Sequence, residues 1–159
     1  MSSQTAGLDF IREHKPLREA LSLHLNGLSY HKSSDRSELN QVNYGFGLGY
    51  YLGRLKSNGI LLNNAKVSAE TEFYSDSFAK LAFLCGATFQ QPLSAHLDYG
   101  INVGLIYENH LVDNTGQHVL PYLFPYLETS FDTAINARLT VVPPVANKGV
   151  VVLQLITRF

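Results

Sequence analysis

From Ala95 to Tyr107 the chain alternates with a period of two. Leu97, Tyr99, Ile101, Val103, Leu105 and Tyr107 fall on one face, and His96, Asp98, Gly100, Asn102, Gly104 and Ile106 on the other. Such alternation marks a strand with two unlike faces. The pattern recurs where Tyr44, Phe46, Leu48, Tyr50 and Leu52 alternate with Gly45, Gly47, Gly49, Tyr51 and Gly53. It recurs again through Leu81–Gln90 and through Ile135–Val142. Together these segments predict eight strands, near 20–31, 43–54, 65–75, 80–91, 94–108, 118–130, 133–142 and 150–159. Ahead of them, Leu8, Phe10, Ile11 and Leu17 are interspersed with charged residues and limited by Pro16. That stretch predicts a short amphipathic helix over 8–17 of the kind that lies on a membrane interface.

In a soluble sandwich the large apolar face points into the core. In a membrane barrel it points to lipid, and small and polar residues line the lumen. The connections favour the barrel. Gln91–Ser94 and Phe131–Thr133 are short, whereas Ser33–Val42, Asn109–Gln117 and Pro143–Gly149 are longer and polar. Short turns at one end and long loops at the other belong to outer-membrane barrels. The last alternating segment ends on an aromatic residue, Phe159, a pattern typical of those barrels. The expectation is all-β: one domain over 1–159, an eight-stranded antiparallel transmembrane β-barrel over 20–159 preceded by the helix.

Composition agrees. Apolar residues make up 45% and charged residues 16%, where about 25% charged is usual for soluble domains. There are 9 Tyr, 9 Phe and 12 Gly, and no Trp. Lys and Arg total 12 against 13 Asp and Glu, for a net charge of -1, which argues against a basic nucleic-acid binder. A single cysteine, Cys85, rules out an intrachain disulfide. No segment approaches the roughly 20 apolar residues of a transmembrane helix. Met1–Gly7 lacks the basic and apolar stretches of an export signal, so an exported form would be a mature chain with a start Met added.

Candidate chemistry is sparse. HxxxH, HExxH and clustered Cys/His spacings do not occur, nor do glycine-rich nucleotide motifs or a GxSxG elbow. What remains is the minimum set for acyl transfer: a His to move a hydroxyl proton, a Ser, and a carboxylate to orient the imidazole. His24 and His31 lie on the first strand, Asp76 and Ser77 end the third, His96 and Asp98 sit on the fifth, and His110 and His118 flank a loop. His31 and Ser77 each lie roughly eleven steps into their strands, which puts both at one rim, whereas His24 lies about four steps in, near mid-depth. Pro121 and Pro125 fall inside a strand, and Pro143 and Pro144 at the end of its neighbour. Proline cannot donate to a ladder, so the barrel is expected to unzip there and leave a lateral opening for a lipid tail.

Several segments occur in an order that resembles one family. They are Asp35-Arg36, Gly45-Phe46-Gly47-Leu48, Phe73–Phe78 around Asp76-Ser77, Leu120-Pro121-Tyr122-Leu123-Phe124-Pro125, and Leu139–Pro143 followed by Asn147-Lys148-Gly149. From about His24 onward the chain resembles the lipid A palmitoyltransferase (PagP) family. The resemblance implies an eight-stranded bacterial outer-membrane barrel that moves a palmitoyl chain from a phospholipid to lipid A. It implies that the chain sits inside the barrel and that a His, an Asp and a Ser react at the outer rim. Asp76 and Ser77 match that pair. His31 fits the rim height, and His24 keeps the family spacing to Asp-Arg as the alternative. His31 would act as general acid or base, Ser77 would supply the reacting hydroxyl, and Asp76 would orient the site.

Arg36 would meet lipid A phosphates. Gly86 and Thr88, with Ala87, are candidates for the floor of the acyl pocket, and Pro121, Pro125 and Pro143 for lateral entry. No cofactor, metal or nucleic acid is implied. The partners would be the phospholipid donor and the lipid A acceptor, and the barrel would act as a monomer. The absence of Trp, the short helix and the expanded Arg54–Ala65 segment depart from the family. The rival readings are a lipid A deacylase with water as acceptor, a non-enzymatic small outer-membrane barrel, and a soluble lipid-binding barrel.

Overall fold

The alternating segments are all strands in the computed structural model, which describes residues 8–32, 42–57, 63–76, 80–108, 116–129, 134–145 and 148–159. In chain order these are β1 (Leu8–Arg12), the single turn α1 (Leu17–Ala20), β2 (Leu21–Lys32), β3 (Val42–Ser57), β4 (Ala65–Ser75), β5 (Leu81–Ser94), β6 (Leu97–Glu108), β7 (Val119–Thr129), β8 (Ile135–Val145) and β9 (Lys148–Arg158). From β2 to β9 each strand pairs antiparallel with the next. β9 returns to β2, with Ser22 opposite Arg158 and Lys32 opposite Gly149, and this closes an eight-stranded barrel. No helix among the described residues is long and apolar enough to cross a membrane.

The expected helix over 8–17 is not where the pattern placed it. Residues 8–12 form β1, and the helical turn occupies 17–20. The cause is the length of β3. β2 begins opposite Tyr50, so the edge of β3 from Gly53 to Ser57 is left over, and Leu8–Arg12 pairs with it. Unpaired backbone groups are costly when water is excluded, and a ladder satisfies more of them than one amphipathic turn ahead of Pro16 can. Glu13 fastens the crossover, accepting the Tyr51 hydroxyl at 2.6 Å and pairing with Arg54 at 3.3 Å.

The two faces of the barrel are inverted relative to a soluble protein. Tyr44, Phe46, Leu48, Leu105, Leu123, Leu139 and Leu155 are exposed on the outer face. His24, Glu70, Glu72, Asn102, Glu128, Arg138 and Gln154 are buried inside. The outer wall also carries a cross-strand row of aromatics, with Phe46–Phe73 and Phe73–Phe83 centroids 5.8 and 4.7 Å apart. The glycines of β3 serve the interior. A Cβ at Gly47 would lie 2.5 Å from Cγ of Glu72, and one at Gly49 would lie 2.3 Å from Oγ of Ser22. Their missing side chains are the space that the polar interior occupies.

Candidate functional site

β2 and β4 run in the same direction, so His31 and Asp76 belong to one end of the barrel, the end of the long loops. His31 stands opposite Val150 on β9. Across the β2–β3–β4 ladders Asn26, Gly45 and Tyr74 are in register. Asp76 follows β4 and is 2% exposed. Its carboxylate accepts the Lys80 N–H at 2.8 Å while its own N–H donates to the Lys80 carbonyl at 2.7 Å, which pins both ends of the short connection to β5. Ser77 and Arg36 lie outside the described residues.

His24 is not at the rim. It stands opposite Gly47 and Ile156, fully buried, and its Nδ1 donates to Oε1 of Glu72 at 3.1 Å. The spacing that made it an alternative to His31 places it in the lumen's polar core.

That core is a continuous network. Arg138 reaches Glu70 with Nη1 at 2.8 Å and Nη2 at 3.0 Å, and Glu128 with Nε at 2.9 Å. Arg158 pairs with the other oxygen of Glu128, and the Tyr126 ring lies 4.3 Å from the Arg138 guanidinium. Glu70 also accepts from Thr88 and Asn102, both at 3.2 Å. Glu72 accepts from Asn26 at 3.2 Å and from Gln154 at 2.9 Å. Buried charges persist when paired and hydrogen-bonded, and each of these is.

Two expectations are corrected here. The middle of the lumen is filled by large polar side chains and is not an apolar channel lined by small residues. Gly86 and Thr88 therefore floor no open pocket: Thr88 is bonded to Glu70, and a Cβ on Gly86 would lie 2.6 Å from the Tyr122 hydroxyl. The cause is the β4–β6 and β8 network, which uses the space that glycines leave. The ligand atoms of His24, Glu70 and Glu72 lie within 4.8 Å of one another, close enough to hold a cation. Arg138, Thr88, Asn102, Asn26 and Gln154 already donate to those carboxylates, so the group is satisfied by the protein itself.

The outer half of the lumen is different. Leu84, Ile106 and Tyr122 pack together there, with Tyr74, Leu120 and Phe124 against them. This apolar wall abuts a break in the barrel. β6 and β7 pair without interruption from Leu97–Thr129 to Tyr107–Val119. β7 and β8 pair at Tyr126–Thr140, Leu127–Leu139 and Glu128–Arg138. Above Tyr126 and Thr140 no ladder joins the described residues of these two strands. Pro125 comes next on one side, with Pro121 at the same parity, and Pro143 and Pro144 lie on the other. Pro121 and Pro125 turn their backbone edges to the same neighbour. The β6 ladder passes through both, so the missing N–H groups fall on the β8 side.

At the opposite end a cavity of about 110 Å3 opens between α1, the starts of β2 and β4, and the end of β9. Lys15, Glu19, Ser22, Glu70, Arg138 and Arg158 contribute to its wall. Ser22 Oγ lies 3.0 Å from Nε2 of His24.

The sequence reading missed Glu70, Glu72, Glu128, Arg138 and Ser22. A signal existed: Ser68, Glu70 and Glu72 recur at every second residue of β4, on the face opposite Val67, Ala69 and Phe73.

No family model matches the sequence, and no curated protein matches it. A structure from the de novo design of transmembrane β-barrels is similar, with TM-score 0.57 and 11% identity over 92% of this chain and 99% of that one. The Yersinia pestis outer membrane protein Ail, in a phospholipid nanodisc, is also similar, with TM-score 0.45 and 13% identity over 89% of this chain and 100% of that one. At 11% identity the likeness to the designed barrel concerns the fold alone, that of a transmembrane-type β-barrel.

Proposed function

We propose that this chain is a bacterial outer-membrane acyltransferase that moves an acyl chain, palmitoyl by the family resemblance, from a phospholipid to lipid A. The observation that carries the reading is the seam between β7 and β8. It lies at the end of the long loops, is flanked by Pro121, Pro125 and Pro143, and abuts the apolar wall of Leu84, Ile106 and Tyr122. A lipid tail entering sideways would meet apolar side chains in the outer half of the lumen and be stopped by the polar network below.

Asp76, held at the same rim, supports the chemistry that the resemblance assigns to His31, Asp76 and Ser77. In that scheme His31 takes the proton from the acceptor hydroxyl, Ser77 contributes its hydroxyl, and Asp76 orients the site. Arg36 meets the lipid A phosphates. The barrel works as a monomer, with the phospholipid and lipid A as its partners.

Mass spectrometry of lipid A from cells with and without the protein tests this, beside a Ser77→Ala control. A gain of one acyl chain that the variant abolishes supports the transferase. Loss of a chain points to a deacylase instead. The filled middle of the lumen favours a second reading, a non-enzymatic small barrel, and unchanged lipid A in cells with the inserted barrel would support that one.

A further inference from the structure

Ser22 and His24 on β2 and Glu72 on β4 form a relay across β3, which lies between the two strands. Oγ of Ser22 lies 3.0 Å from Nε2 of His24, and Nδ1 of His24 lies 3.1 Å from Oε1 of Glu72. With the Nδ1 N–H donating its hydrogen bond to the carboxylate, Nε2 is left to accept the serine proton. Nucleophile bonded to base, and base to an orienting third group, is the arrangement that activates serine. Glu72 is itself fixed by Asn26 and Gln154, and a second carboxylate, Glu70, lies 3.9 Å from Nε2. Gly49 is what allows the relay, because its Cβ would stand 2.3 Å from Ser22 Oγ and 3.0 Å from His24 Nε2.

The relay also has somewhere to act. Ser22 is half-buried and lines the cavity of about 110 Å3 at the end of the barrel opposite Asp76, while His24 is buried behind it. Lys15, Arg138 and Arg158 line that wall beside Glu19 and Glu70, and both arginines are already paired with carboxylates. A cavity of this size is on the scale of a small acyl ester.

We infer that Ser22, His24 and Glu72 constitute a serine esterase site for small acyl esters at this end of the barrel. Ser22 Oγ attacks the ester carbonyl carbon as His24 Nε2 takes its proton, and a tetrahedral oxyanion forms. Its collapse breaks the bond to the alcohol oxygen, which leaves with the proton from His24. Water then attacks the acyl-serine, again giving its proton to His24. The acid is released and Oγ recovers its proton. Ser22 and His24 are the catalytic residues, and Glu72 is a positioning residue.

The test treats the folded full-length barrel in detergent micelles with a fluorophosphonate probe, maps the adduct by peptide mass spectrometry, and measures p-nitrophenyl acetate hydrolysis. An adduct on Ser22 is expected, lost in Ser22→Ala together with the hydrolysis. His24→Gln is expected to slow both by about 10²- to 10⁴-fold. Glu72→Gln is expected to slow Ser22 labelling in barrels that remain folded by circular dichroism, which a purely structural glutamate would not do. Folded wild-type protein with no adduct on Ser22, and a hydrolysis rate equal to that of Ser22→Ala, would overturn the assignment.

Discussion

Arg138 and Glu70 meet through two parallel hydrogen bonds of 2.8 and 3.0 Å inside the barrel, although 68 residues separate them in the chain. They join β8 to β4 across the lumen. The pair is 2–5% exposed, and its remaining capacity is met by Glu128, Thr88 and Asn102. Removing one partner strands the others. Arg138→Met is expected to cost about 3–5 kcal/mol, read as a lower urea midpoint for the barrel in micelles. A midpoint equal to wild type would show that the pair holds nothing together.

The outer face makes the opposite demand. Leu123 lies near the middle of β7, exposed on the apolar surface. Leu123→Arg is expected to destabilise the barrel in bilayers by about 2–4 kcal/mol if it sits at the midplane. The same substitution at Leu93, exposed at the end of β5, is expected to cost much less. Equal effects at both positions would contradict the lipid-facing assignment.

The prolines of β7 keep the seam open by withholding donors. Pro121→Val with Pro125→Val restores two N–H groups opposite β8. If both find partners, stability rises by about 0.5–1.5 kcal/mol for each bond, and acyl transfer falls because the tail loses its entrance. Unfolding curves and lipid A mass spectra on the same variant check both halves. Unchanged transfer in a demonstrably closed barrel would remove the seam from the mechanism.

Gly49 is expected to be intolerant. Gly49→Ala puts a methyl into the space shared by Ser22 Oγ and His24 Nε2. Overpacking of this kind costs about 1–3 kcal/mol. Fluorophosphonate labelling of Ser22 should fall together with the urea midpoint.

Much of this fold was legible because lipid and lumen impose unlike demands on alternate residues. Tyr44 to Gly53 and Leu97 to Tyr107 therefore announce their strands without knowledge of any partner. β1 was not legible, since Leu8–Arg12 has helical as well as extended character and its conformation is decided by the free edge of β3. Counting residues put His31 and Ser77 at one rim; His31 and Asp76 lie at one end of the barrel, and Ser77 falls outside the described residues. The lumen could not be read by counting. Whether Gly86 faces open space depends on Tyr122, two strands away in sequence and one hydrogen bond from Asn102. Ser22 and Glu72 meet at His24 only once β3 lies between their strands with glycine facing inward.

The most direct test of acyl transfer uses purified barrel in vesicles that contain phospholipid with an isotopically labelled acyl chain together with lipid A, followed by mass spectrometry of the lipid A. The expected result is lipid A carrying the labelled chain, with an equal amount of lysophospholipid, and neither product with Ser77→Ala. Unlabelled lipid A from a folded, inserted barrel would contradict the proposed function.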